Sequence, residues 1–235
     1  MEAGATPPFL CHHASMTVQY IIKSPDAMVR YLACNLLTKK YVFYSTSWIP
    51  DNKDPLIIDA RLLMLYDAHL SKEKQYRRSK AGFAKVKYLR CGQLCIIIAT
   101  KGRSSFFNRE AWKDIREAPL HLEGYSISVN RQTEKVSVRL HPEAQRRLKR
   151  EFTELAKETL SACETTVREF PFLPFAGVRD GLFSLIRHLN ECRRLLKKAP
   201  VDWKRCVRKK FTPEPVFIET PKEIADLLRY EAGRR

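Results

Sequence analysis

The chain has 235 residues, 44% of them hydrophobic and only 8 of them glycine, which is enough to bury a core in one large domain or two small ones. No apolar run approaches the ~20 residues that a bilayer-crossing helix needs, so a membrane span is not expected. Lysine and arginine number 43 against 26 aspartate and glutamate, a formal net charge of +17 that calls for a polyanionic partner or costs stability by self-repulsion.

Residues 1–16 lack the basic start and long apolar stretch of a secretory signal and are expected to be a disordered leader. Residues 17–141 read as an α+β sheet domain. Ser24, Pro25 and Asp26 offer a helix entry, and Met28, Tyr31, Leu32 and Leu36 follow at helical spacing. Residues 40–49 (KYVFYSTSWI) are aromatic and β-branched and stop at Pro50, which predicts a strand. Asp54 as a cap and Pro55 at the first helical position open a helix expected to reach residue 70.

Residues 85–90 alternate Lys85 and Lys87 outward with Val86 and Tyr88 inward. Cys91, Gly92 and Gln93 form a tight turn into residues 94–100 (LCIIIAT), which read as a buried strand. Lys101, Gly102 and Arg103 break that strand, and residues 106–117 look helical. Tyr125, Ile127 and Val129, then Val136, Val138 and Leu140, alternate with polar residues as a second hairpin.

The order β-α-β-β-α-β-β predicts a ferredoxin/RRM-like antiparallel sheet with helices on one face. RNA-recognition domains and several replication or transposition nucleases use this arrangement, but element order does not assign a function. The RNP1 consensus of the RNA-recognition motif is absent, because residues 94–100 lack its aromatics.

Residues 142–211 are expected to form a C-terminal helical hairpin appended to the sheet. Leu148, Phe152, Leu155, Leu160, Cys163 and Val167 mark one apolar stripe. Leu182, Leu185, Ile186, Leu189 and Leu196 mark another, after the proline-punctuated connector FPFLPF at 170–175. Residues 212–235 read as a tail with a short helix.

Three basic segments are the candidate nucleic-acid-binding residues. The first holds Lys72, Lys74, Arg77, Arg78, Lys80, Lys85 and Lys87, interleaved with Tyr76, Phe83 and Tyr88. Aromatics of this kind stack bases while cations track phosphates, but Phe83 and Tyr88 fit better as ordinary core residues. The second, Arg146, Arg147, Lys149 and Arg150, sits in the first turns of a helix, where cations oppose the macrodipole at about 0.3–1 kcal/mol each. The third is Trp203, Lys204, Arg205, Arg208, Lys209 and Lys210. Arg193, Arg194, Lys197 and Lys198 need no ligand, because cations at a helix C-terminus complement its dipole.

Signatures of chemistry are sparse. Seven scattered cysteines match neither a disulfide framework nor a common zinc spacing, so free thiols in a reducing, cytoplasmic setting are expected, with no metal and no cofactor. There is no P-loop, dinucleotide fingerprint, HExxH, nucleophile elbow or His-x-His pair. His121 and His141 flank strands and can converge on one sheet end. Asp54, Asp59, Asp67 and Asp114 are the acidic candidates for a two-metal site, with Asp54 better explained as a cap.

The leading expectation is a protein binding RNA or single-stranded DNA, as a subunit of a ribonucleoprotein or of mobile-element or replication machinery, with catalysis left open. The alternatives are a metal-dependent nuclease or replication initiator on the same scaffold, and a basic module that docks an acidic protein.

Overall fold

The computed structural model describes residues 19–170, 172–206, 215–219, 224 and 226. The expected leader, Arg208, Lys209, Lys210 and most of the expected tail helix lie outside the described residues.

Helix α1 (Pro25–Tyr31) starts where the Ser24 hydroxyl accepts from the Ala27 amide at 3.2 Å. The coil continues through a π turn (Leu32–Leu36) and a 3-10 turn (Leu37–Lys39), and stops at Lys40, whose φ is 64°. Strand β1 is Phe43–Trp48. Helix α2 (Pro55–Leu65) is capped by Asp54, which accepts from the Leu56 amide at 2.8 Å. It ends five residues short of expectation because the chain turns into the left-handed region at Asp67 (φ 53°).

A further helix, α3 (Lys72–Lys80), occupies what the apolar pattern leaves as a linker. Only Gln75 of it is buried, so it carries no stripe to read, but Ser71 caps it by accepting from the Lys74 amide at 3.2 Å. Strands β2 (Val86–Cys91) and β3 (Leu94–Ala99) then form the expected hairpin around Gly92, at φ 58°.

The expected helix over 106–117 is shorter: α4 (Phe106–Arg109) gives way to a two-residue strand, β4 (Lys113–Asp114). The chain is drawn back to β1 there. The Ile115 amide donates to the Val42 carbonyl at 2.9 Å, and the Asp114 carboxylate accepts from the Arg116 amide at 2.9 Å. Sheet pairing and a local turn satisfy the backbone groups that a longer helix would have used.

These strands form a four-stranded sheet in the order β2-β3-β1-β4, with every pairing antiparallel. The second hairpin, β6 (Tyr125–Val129) and β7 (Val136–Leu140), does not join it. With β5 (Leu120–Leu122) it makes a separate three-stranded antiparallel sheet, β5-β6-β7.

Helices on one face only is also corrected. Alternate residues of the four-stranded sheet enter two different cores. Val86, Tyr88, Cys95, Ile97 and Ala99 pack with Ala60 and Leu63 of α2 and with Phe106. Leu89, Ile96, Ile98 and Tyr44 pack with Met28, Leu32 and Leu36, and this core runs on into Leu120, Ile127 and Val138 of the second sheet.

The helical part is α5 (Pro142–Leu155), α6 (Leu160–Glu169), α7 (Ala176–Leu195) and the short α8 (Trp203–Cys206). The single stripe read across 148–167 is broken at Thr159, which caps α6 through the Ala162 amide at 3.2 Å, so the unit exceeds a hairpin. Leu148, Phe152, Cys163, Val167, Leu182, Leu185, Ile186 and Leu189 fill its core. Helix α7 also lies on β7. A Cβ on Gly177 would stand 2.7 Å from the Val138 carbonyl oxygen, and one on Gly181 would stand 2.9 Å from the Leu140 side chain. Two glycines four apart on one helix face permit that close approach.

Candidate nucleic-acid interface

The densest cationic surface lies on α3 and the start of β2. Lys72, Lys74, Arg77, Arg78 and Lys80 are exposed along the helix, and Lys85 and Lys87 are half-buried on the chain that follows. Arg78 pairs with Asp67 at 2.9 Å. Among the described residues, no carboxylate lies within 4.0 Å of the ammonium or guanidinium groups of the other six. Tyr76 is 54% exposed in their midst, with the Lys80 ammonium 4.9 Å and the Lys85 ammonium 6.0 Å from its ring centre. Each such cation–π contact contributes about 0.5–1 kcal/mol at a wet site.

The other two aromatics of the segment are not free to stack on bases. Tyr88 is a core residue whose hydroxyl donates to Asp59 at 2.6 Å. Phe83 is flanked by guanidinium groups, with Arg78 4.9 Å and Arg103 4.6 Å from its ring centre. Arg103 is held there by its own bond to the Ala81 carbonyl at 2.9 Å and by the backbone pairing of Phe83 with Arg103.

Lys87 was expected to point freely outward. It is half-buried because the sheet face it occupies is covered by the π turn and its neighbours. Burial holds its ammonium below the usual lysine range, and Lys72 and Lys39 add like-charge repulsion. An arriving anion would relieve that repulsion.

Behind α3 the same segment lines a cleft of about 240 Å³, walled by Leu70, Arg78, Phe83, Lys85, Ser104 and Ser105 among others. Sequence reasoning missed Arg103, Ser104 and Ser105 because residues 101–103 read only as a strand breaker. The Gly102 that precedes them was the one available signal, since an isolated glycine after a strand marks close backbone approach.

The second cluster lies on the other unit. Arg146, Arg147, Lys149 and Arg150 are exposed on the first turns of α5, and Arg147 pairs with Glu151 at 3.6 Å. Of the third, Trp203 is 46% exposed, edge-on to Phe183 at 5.4 Å, and the Lys204 ammonium stands 6.0 Å from its ring. The Arg205 side chain and Arg208, Lys209 and Lys210 lie outside the described residues.

The end of α7 behaves differently from a solvated cationic face. Arg193 is 2% exposed and donates to the carbonyls of Ala199 (2.6 Å), Glu158 (3.0 Å) and Ala156 (3.3 Å). Its charge is thus spent on the negative C-terminal end of α5. Lys198 joins it there, donating to the Lys157 carbonyl.

His121 and His141 do converge, with ring centres 4.5 Å apart and planes at 67°. His141 caps α5, its Nδ1 accepting from the Glu143 amide at 3.4 Å. Partial burial lowers the His121 pKa, and the neighbouring His141 and Lys113 lower it further. Among the described residues no three His, Cys, Asp or Glu side chains are grouped to hold a metal.

The four acidic candidates are each engaged elsewhere. Asp54 caps α2. Asp59, fully buried, accepts from Tyr88 at 2.6 Å and from Arg90 Nε at 2.9 Å. Asp67 holds Arg78, and Asp114 holds Arg116 at 2.6 Å. The six described cysteines are free thiols. Among the described residues no helix is long and apolar enough to cross a membrane.

No family model matches the chain, and no curated protein matches it either.

Proposed function

We propose that this protein binds single-stranded nucleic acid, RNA or DNA, along the cationic face of α3 and the start of β2. The observation that carries the reading is Tyr76: an exposed ring among cations that no described carboxylate neutralises. A base stacks on such a ring while phosphates replace water and counterions around the lysines, and each phosphate neutralised releases condensed ions. The half-buried Lys87, crowded by Lys72 and Lys39, adds a site whose repulsion falls when a phosphate arrives. The exposed cations of α5 and the Trp203–Lys204 pair extend the reading to a second contact region, as in a subunit of a larger nucleoprotein assembly.

The arrangement differs from an open-sheet reader, because helical elements cover both faces of the four-stranded sheet. A ferredoxin-like core is nevertheless our reading of that sheet. The order β4-β1-β3-β2, antiparallel throughout, supports it, as do the helical crossovers between β1 and β2 and between β3 and β4.

A histidine-assisted nuclease is the second reading, favoured by the convergence of His121 and His141. The metal-dependent form of it is disfavoured, because Asp59 and Asp114 are committed to arginines.

Fluorescence titration of mixed-sequence single strands tests the proposal. The logarithm of affinity should fall against the logarithm of salt with a slope of several units, as for about five to eight phosphates. Tyr76→Ala should weaken binding about tenfold, the scale of one lost stack. Lys85→Glu with Lys87→Glu should weaken all sequences alike. A flat salt dependence, or stronger binding to an acidic peptide than to either nucleic acid, would refute it and favour the protein-docking alternative.

A further inference from the structure

We infer that the cleft behind α3 is a receptor for a phosphomonoester, the terminal phosphate of a nucleotide, and that it gives the cationic face a preference for strand ends. This inference rests on the nucleic-acid reading for its biological sense, but its geometry is separate. The cleft, about 240 Å³, suits one small group and not a strand running through it. Its wall carries two cations, Arg78 and Lys85, and two hydroxyls, Ser104 and Ser105, over an apolar floor that includes Leu70, Phe83 and Val86.

The principal cation is preorganised. Asp67, in the left-handed conformation, anchors one edge of the Arg78 guanidinium at 2.9 Å, and the Phe83 ring supports its face at 4.9 Å. The remaining N–H groups of that fork are available to a planar or tetrahedral oxyanion, so little side-chain entropy is lost on binding. Arg103, 4.6 Å from the centre of the same ring, adds positive potential nearby. The Ser104 hydroxyl accepts from the Phe106 amide at 3.2 Å, which fixes the oxygen and leaves its own proton to donate. The cations Arg78 and Lys85 favour the doubly charged monoester over the singly charged diester of the strand interior, a preference that the Asp67 carboxylate reduces but does not reverse.

The same chemistry is presented by a phosphorylated strand end and by a free nucleotide, and the test separates them. Binding of labelled single strands with 5′-phosphate, 3′-phosphate or hydroxyl ends is measured, alongside a free nucleoside monophosphate as ligand and competitor. We expect a phosphate end to bind about tenfold more tightly than a hydroxyl end. Arg78→Ala and Ser104→Leu should each abolish that ratio, with the fold checked by circular dichroism and thermal melting. If the free monophosphate binds and competes as strongly as the phosphorylated strand, the recess is a nucleotide site and the inference stands for that source. Equal binding of phosphate-ended and hydroxyl-ended strands, with no binding of the monophosphate, overturns the inference while leaving the cationic face intact. Monophosphate binding without any strand binding overturns the nucleic-acid reading alone. Retention of the end preference in both variants places the phosphate elsewhere and also overturns the inference.

Discussion

Gly102 lies against the backbone of Ala84: a Cβ there would stand 2.5 Å from the Ala84 amide nitrogen. Its φ of 144° is a conformation that side chains rarely adopt, and it lets residues 101–103 run beside residues 82–84. That contact carries the Arg103–Gly82 and Ala84–Arg103 backbone bonds, at 2.9 and 3.0 Å, and so places Arg103 on Phe83.

Gly102→Ala should therefore destabilise the protein by about 1–3 kcal/mol, the usual cost of forcing such backbone conformations. Urea denaturation measures it. A variant as stable as the parent would show that the two segments can separate without cost.

Arg193 offers a second test of where charge is spent. Arg193→Met keeps much of the apolar volume but takes the guanidinium donor from the carbonyls of Ala156 and Ala199, and leaves the Glu158 carbonyl with only the Lys198 ammonium at 3.4 Å. A loss of about 2–3 kcal/mol is expected, while nucleic-acid affinity should be unchanged because the guanidinium is buried. Weakened binding in a folded Arg193→Met protein would contradict the structural assignment.

Asp59 and Arg90 form a buried pair sharing Nε with both carboxylate oxygens at 2.9 Å. Removing Asp59 strands the Arg90 charge and leaves the Tyr88 hydroxyl with only the Cys95 sulfur at 3.0 Å, so Asp59→Ala should cost about 3–5 kcal/mol. The midpoint of thermal unfolding should drop accordingly. Any activity that vanishes in Asp59→Ala should be compared with the folded fraction before Asp59 is given a chemical role.

Two histidines set a pH dependence. Burial is the first cause that holds His121 below the ordinary imidazole value, followed by His141 and Lys113, with Glu143 opposing. His188, bonded to the Thr153 hydroxyl at 2.8 Å, is lowered by burial and by Lys149. A histidine whose pKa falls on folding binds its proton more readily when unfolded. Its contribution is therefore complete above about pH 6.5 and is lost as pH falls through the folded-state value. The urea midpoint should decline on acidification below about pH 6.5, and a His121→Gln, His188→Gln protein should decline less. An identical decline would assign the effect to other groups.

Much of the local structure was legible in the chain. Ser24 with Pro25 and Asp54 with Pro55 marked their helix starts, and the alternation of residues 85–90 and the apolar run of residues 94–100 on either side of Gly92 marked the first hairpin. These are signals between residues close in sequence. Helix α3 escaped notice because a polar helix with one buried side chain leaves no periodic stripe. The helix over 106–117 failed because pairing of Lys113 and Asp114 with β1 depends on a strand about 70 residues earlier.

By itself the sequence determined the excess of cations, their grouping into three segments, and the starts of the elements that carry them. Charge and capping are properties of the residues and their near neighbours. Only the tertiary structure decided that Phe83 would be enclosed by Arg78 and Arg103, that Arg193 would be spent on a neighbouring helix, and that Tyr76 would stay exposed. Side chains of equal charge acquire different roles through the partners that distant segments bring to them, and burial against those partners is settled only when the sheets and helices pack.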